Sequence, residues 1–294
     1  MNSPLDRGGH VGRESFWTSD PYDLLKAGDD FTLADQATDA HSGFDGGKHD
    51  GAAALAEGAS ILADLQERLF AAGTVGDQRR VLLVLQAMDT AGKGGIVSHV
   101  VGAVNPGGVR YKGFKKPTKE ELSHDFLWRV ERELPAAGQI GVFDRSHYED
   151  VLIGRVRELA PAAEIERRYG AINDFESQLV DDGTSIVKVM LHLGKDEQKS
   201  RLADRLDRPD KHWKYNPGDV DERLLWDSYQ DAYQTVFERT STEHAPWFVV
   251  PADRKWYARL AVQHLLIRAL EELDLGWPPA DYDVDVERKR LAAS

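Results

Sequence analysis

Apolar positions along this chain fall into two kinds of stretch that alternate. Short runs at 81–85, 109–114, 140–143, 186–193 and 247–250 are rich in apolar, aromatic or β-branched residues, the pattern of strands covered on both faces of a sheet. Between them apolar residues recur at helical spacing. In 53–70 the residues Leu55, Ile61, Leu62, Leu65 and Leu69 make one stripe, which predicts an amphipathic helix. After Pro117, Thr118-x-x-Glu121 has the form of a capping box and leads into Leu122, Phe126, Leu127 and Val130, which predicts a second helix starting there. Strands alternating with helices predict an α/β fold of three layers, with a mostly parallel five-stranded sheet between helices and ligands at the carboxyl ends of the strands.

Residues 1–52 break this pattern. They are rich in Gly, Asp, Ser and His without periodicity, and predict a flexible leader. One catalytic domain is expected over 53–280, and a tail over 281–294.

The junction after the first strand is the most specific local signal. Ala87-Met-Asp-Thr-Ala-Gly-Lys-Gly-Gly95 takes an apolar strand through a small-residue turn into a helix, the form of a phosphate-cradling loop. Ala91, Gly92, Gly94 and Gly95 let backbone N–H groups point into one concavity, and Lys93 adds a mobile positive charge. The loop departs from G-x-x-x-x-G-K-[ST]: Ala87 replaces the first Gly, and Gly94 replaces the hydroxyl residue that touches Mg²⁺. Asp89, a carboxylate within the loop, is placed to restore metal-binding or acid/base capacity.

Composition narrows the partners. A net charge of −13 argues against nucleic acid and anionic membranes as partners, and means that a polyanion must be received by a local basic patch. Two patches exist: Arg110, Lys112, Lys115, Lys116 and Lys119, with no acid among them, and Arg201, Arg205, Arg208, Lys211 and Lys214, diluted by aspartates. Arg201, Arg205 and Arg208 stand at i, i+4 and i+7, so a helix would carry them on one face; followed by Pro209 and Lys214, they predict a basic lid over about 196–220. The absence of cysteine removes disulfides and thiolate sites. No apolar run approaches the roughly 20 residues that span a bilayer, and the expected location is the cytoplasm.

The third strand ends in Phe143-Asp-Arg-Ser-His-Tyr-Glu-Asp150. Asp144 stands where phosphate-loop enzymes place a second carboxylate for Mg²⁺, and Arg145 suits phosphate binding or charge stabilisation, with an ion pair at the strand end as the structural alternative. Glu149 and Asp150 are candidates for orienting an acceptor phosphate or a second metal, or simply for starting a helix. Trp226, Tyr229 and Tyr233 read as core packing; His147 lies near the site, but direct transfer needs no phosphorylated nucleophile, and His124 beside Asp125 reads as structural.

Taken together, these residues carry a resemblance. The loop 87–95, the run 115–129, the strand end 143–151 and Trp213-Lys214, in that order, resemble the family-2 polyphosphate kinases over about 53–275. The resemblance implies a P-loop kinase-like core similar to thymidylate kinase and phosphoryl transfer between inorganic polyphosphate and adenine or guanine nucleotides. It also implies a Mg²⁺ requirement, with Mn²⁺ as a substitute, and a homodimer or homotetramer. Asp89, Lys93, Asp144 and Arg145 match the family's catalytic positions, with Asp89 and Asp144 as metal ligands and the lid arginines on the phosphate chain. The form His147-Tyr-Glu-Asp150 is similar to the subgroup that accepts AMP as well as ADP. Two departures stand out: Gly94 where this subgroup often has an acid, and Asp144 where some members carry Asn. An ATP-dependent nucleoside monophosphate kinase and a non-catalytic nucleotide sensor are the rival readings.

Overall fold

A computed structural model describes residues 17–294. The chain runs α1 (Pro21–Leu25), α2 (Lys48–Thr74), β1 (Arg80–Ala87), α3 (Lys93–His99), β2 (Val109–Gly113), α4 (Trp128–Glu131), β3 (Ile140–Asp144) and α5 (Ile153–Val156). It continues through α6 (Ala162–Asp181), β4 (Thr184–His192), α7 (Lys195–Asp207), α8 (Gly218–Arg223), α9 (Trp226–Thr240), β5 (Trp247–Pro251), α10 (Lys255–Glu271) and α11 (Val284–Ala292). All five expected strands are present, in the order β2-β3-β1-β4-β5, and every pairing is parallel.

The uninterrupted apolar character of β1 follows from its place at the centre of the sheet. Val81, Leu83 and Leu85 enter one core with Leu62 and Leu69 of α2, Ile96 of α3 and Leu265 of α10, while Leu82 and Val84 enter a second with Ile172 of α6 and Val236 of α9. Side chains alternate between faces, but both faces are covered, so alternation vanishes from the sequence. Helices α2 and α10 come close at Gly58, where a Cβ would lie 2.2 Å from Gln263 Oε1. Because β1 is flanked by β3 and β4, the loops leaving their carboxyl ends open around one crevice.

The expected flexible leader is corrected over residues 17–52. Leu25 and Phe44 belong to the first core, and Ala27 and Leu33 to the second. This strap lies along β5: Ala27 N–H donates to Trp247 O at 2.8 Å and Lys26 bridges Phe248 antiparallel. Asp20 accepts from Tyr22 N–H, caps α1, and meets His264 and Arg268 of α10. Its anchors are scattered singly among polar residues, so no period reveals them. Residues 1–16 of the expected leader lie outside the described residues.

The helix expected from Thr118 is also corrected. Both capping-box bonds form, Thr118 N–H to Glu121 Oε2 at 2.6 Å and Glu121 N–H to Thr118 Oγ1 at 3.2 Å. They cap only a short turn, Glu121–Ser123. Asp125 Oδ1 then accepts from Leu127 N–H at 3.0 Å, a side-chain bond that competes with helix propagation. Leu122 is consequently 69% exposed, whereas Phe126 and Val130 reach the core. Among the described residues, no helix is long and apolar enough to cross a membrane.

Candidate phosphoryl-transfer site

The loop after β1 turns on two residues of positive φ, Thr90 at 67° and Gly92 at 121°. Gly92 is the N-cap of α3, and its left-handed backbone is one that only glycine adopts cheaply. Gly95 N–H and Ile96 N–H donate to Gly92 O at 2.8 and 3.1 Å, closing the first helical turn. Ala91 is buried in the first core and holds the turn down, while the space beside Gly94 is open. Lys93 Nζ folds back to donate to Ala87 O at 3.3 Å; this single bond leaves it two further donors.

Asp144 is brought to this loop by register. It pairs with Leu85 across β1 and β3, and the next residue, Arg145, donates its N–H to Leu85 O at 2.9 Å. Arg145 has φ 65°, a conformation uncommon for a residue with a side chain. Its Nη2 lies 3.0 Å from Asp89 Oδ1, and Nη1 lies 4.0 Å from Glu149 Oε2. The charges of Glu149, Asp89 and Asp144 hold Arg145 firmly in its cationic form. Burial pushes the Glu149 carboxyl up from its ordinary value, and the positive charges of Arg145 and Lys93 oppose that rise. Tyr111 of β2 donates its hydroxyl to Asp144 Oδ2 at 3.4 Å.

Glu149 and Asp150 share a short turn, His147–Asp150, capped by Ser146 Oγ, which accepts from Tyr148 N–H at 3.2 Å. Their fates differ. Glu149 faces Arg145, whereas Asp150 is held by Arg129 and Arg168, each at 3.3 Å. Arg129 Nη1 in turn donates to Lys115 O at 3.0 Å. Asp150 is therefore corrected from a ligand contact to a residue that fixes the base of the exposed loop carrying Lys115 and Lys116.

Beneath this turn lies a buried ionic network. Lys188 Nζ donates to Glu176 Oε2 at 2.6 Å, Thr240 O at 2.7 Å and Tyr148 Oη at 2.9 Å, and Tyr148 Oη donates to Glu176 Oε1 at 2.8 Å. His147 is fully buried beside Glu176. The only sign of this network in the sequence is a lysine inside the apolar run 186–193. Trp226, Tyr229 and Tyr233 are core residues, as read.

The basic arm after β4 is where the structure departs most from expectation. Arg201 is 7% exposed. Its Nη1 donates to Thr90 O and Ala91 O at 3.1 and 2.9 Å, its Nη2 to Ala252 O and Asp253 O at 2.7 and 2.9 Å, and its Nε to Glu197 Oε1 at 2.7 Å. All five donors of the guanidinium are thereby used. Arg201 is corrected from a phosphate contact to a brace behind the loop.

Arg205 and Arg208 are arranged differently. Arg205 Nη1 reaches Lys214 O at 3.0 Å and Asp219 Oδ2 at 3.2 Å. The shared helical face fails at Arg208, which is the C-cap of α7 and not a helical residue; the Pro209 that follows disfavours helical backbone there. Arg208 pairs with Asp210 at 2.9 Å. Lys214 is exposed, 4.9 Å from the ring of Trp213, itself 78% exposed. Sequence reasoning missed Asp219 of α8, whose carboxyl is raised by burial and by the charge of Asp89, and Gln198, which donates to Asp89 O at 3.1 Å.

The donor set bears on a metal. Among the described residues no three His, Cys, Asp or Glu side chains gather as a cage. Asp89 and Asp144, both acting on Arg145, are hard oxygen donors of the kind that suits Mg²⁺.

Comparison with known proteins identifies the family. The model of the family Polyphosphate kinase 2 (PPK2) matches residues 46–275. An AMP/ADP-polyphosphate phosphotransferase of Meiothermus ruber is 48% identical over 240 residues, 82% of this chain and 88% of that protein. An ADP-polyphosphate phosphotransferase of Rhodopseudomonas palustris is 45% identical over 229 residues, 74% of this chain and 78% of that protein. The crystal structure of polyphosphate kinase 2 from Arthrobacter aurescens superposes with a TM-score of 0.93 at 60% identity, covering 95% of this chain and 98% of that one. With its glycine turn, Lys93, and the Asp89–Arg145 pair between two strand ends, this chain is an enzyme that belongs to the polyphosphate kinase 2 family.

Proposed function

We propose that this enzyme transfers a phosphoryl group reversibly between inorganic polyphosphate and an adenine nucleotide, accepting AMP as well as ADP. The observation that carries the reading is the meeting of Asp89, Asp144 and Glu149 around Arg145, beside a glycine turn whose lysine has donors to spare. In the synthetic direction a nucleotide phosphate oxygen attacks the terminal phosphorus of polyphosphate. The new P–O bond forms as the bridging P–O bond breaks, and the chain leaves one phosphate shorter.

The protein's task is alignment and charge complementarity. Backbone N–H groups of Gly92, Lys93 and Gly94 and the ammonium of Lys93 hold the terminal phosphate, Gly95 N–H being tied instead to Gly92 O, and Arg145 stabilises charge on the group in transit. Lys115, Lys116, Arg205, Arg208 and Lys214 receive the remaining phosphates, with α7 and α8 as the lid. Glu149 orients the acceptor through Arg145. Asp89 and Asp144 would hold a Mg²⁺ ion, which would supply neutralisation of the phosphate oxygens. The catalytic unit takes in the strap from residue 17, and assembly as a homodimer or homotetramer in the cytoplasm belongs to the same proposal.

The test is incubation of the purified enzyme with polyphosphate, Mg²⁺ and AMP, ADP or GDP in turn, following the nucleotide products. ATP from ADP and ADP from AMP is the expected result. Transfer only from ATP would replace polyphosphate by a nucleotide as donor, and binding without turnover would make the chain a sensor.

A further inference from the structure

The strap and the root of the lid meet at one carboxylate. Asp253, in the turn after β5, accepts at Oδ1 from Gly194 N–H at 2.8 Å and at Oδ2 from Thr38 Oγ1 at 2.7 Å, and its own N–H donates to Thr38 O at 3.0 Å. Gly194 is the N-cap of α7. A Cβ there would lie 2.9 Å from Thr38 Oγ1 and 3.0 Å from Asp253 Oδ2, so these two groups occupy the space of the missing side chain. Asp253 O also receives Arg201, whose other nitrogen holds Thr90 O and Ala91 O in the phosphate loop.

We propose that Thr38 and Asp253 are positioning residues for phosphoryl transfer, locking the strap, the first two turns of α7 and the phosphate loop into one rigid unit from which the rest of the lid moves. The proposal rests on the phosphotransfer reading for its kinetics but not for its mechanics. The strap residue fixes Asp253, Asp253 fixes both Gly194 and the carbonyl that anchors Arg201, and Arg201 fixes the loop from behind. Misalignment at the loop then acts on the bond-making step more than on substrate capture.

The test uses the full chain with Thr38→Val, Thr38→Ser, Asp253→Asn and the double variant Thr38→Val/Asp253→Asn. Valine keeps the β-branched shape and removes the donor; asparagine keeps the shape and removes one acceptor. Expected is an about tenfold fall in kcat for each, with the polyphosphate KM within about twofold. Serine restores the rate, and the double variant is no slower than the worse single one, as members of one network are not additive. Wild-type kcat in Thr38→Val, or additive losses, would overturn the proposal. Hydrogen exchange is the second readout: in Thr38→Val, peptides covering 89–95 and 194–201 lose protection together. Loss confined to the strap overturns the proposal even if polyphosphate proves not to be the donor, whereas joint loss in an enzyme inactive with polyphosphate faults only the substrate reading.

Discussion

Arg145 Nη2 and Asp89 Oδ1 stand 3.0 Å apart, joining the turn after β1 to the end of β3. Around that pair Asp89, Asp144 and Glu149 gather about Arg145, with Lys93 beside Glu149, so a polyanion entering the site meets carboxylates that a divalent cation would offset. Chelation of divalent cations is therefore expected to abolish turnover. Asp89→Asn should raise the Mg²⁺ concentration for half-maximal rate by about tenfold. Full activity in chelator would remove the metal from the reading.

Lys93→Ala is expected to lower kcat by at least about a hundredfold, the scale of losing one preorganised donor to developing charge. Since Lys93 makes one 3.3 Å bond to Ala87 O, the melting temperature should hardly move. Near-normal turnover in a folded variant would show that the loop is not the catalytic cradle.

Two arginines of the same basic run are expected to part company. Arg201→Lys leaves the buried carbonyls of Ala91 and Ala252 and the part-buried ones of Thr90 and Asp253 short of donors and should cost about 2–3 kcal/mol of stability along with activity. Arg208→Ala, paired only with exposed Asp204 and Asp210, should change stability by less than about 0.5 kcal/mol and raise the polyphosphate KM. Denaturant titrations beside steady-state kinetics separate the two, and equal effects would contradict the placement of Arg201.

Glu149 gives a pH signature. Burial raises its pKa in the folded enzyme, so the folded state binds the proton more tightly than the unfolded chain does. Wild type should gain stability relative to Glu149→Gln as pH falls through the folded pKa of Glu149, and lose it as pH rises. In kinetics the acid limb of kcat/KM should sit above the ordinary glutamate range and be lost in Glu149→Gln. An acid limb that survives unchanged would assign it to another group.

Lys188→Met should destabilise the fold by about 3–5 kcal/mol, because Glu176 is left charged and buried without its partner. Adding Glu176→Gln should recover part of that loss. A single substitution that proves harmless would mean the pair does not hold the turn carrying Glu149.

The strands were readable because each is a short apolar run between turns, and the loop because Gly92 and Lys93 announce both a left-handed backbone and a phosphate partner. Sequence spacing put Arg201, Arg205 and Arg208 on one helical face, but it does not say which face turns inward. Arg201 points at loop carbonyls, and Arg208 falls beyond the helix end. The strap escaped notice because Leu25, Ala27, Leu33 and Phe44 follow no period, and the Lys188–Glu176 pair because its members belong to separate elements, β4 and α6. Local chemistry is written locally; contacts that span the chain, such as Thr38 with Asp253, are not.

The antiparallel bridge between Lys26 and Phe248, with the bond from Ala27 to Trp247 O, gives the sheet two unlike margins. On the β5 side the ladder already has an occupant, while β2 on the far side shows Arg110 and Tyr111 to solvent. Among the described residues, strand addition between copies has one open flank to use, and a sheet with one open flank can form pairs but cannot propagate into a fibre.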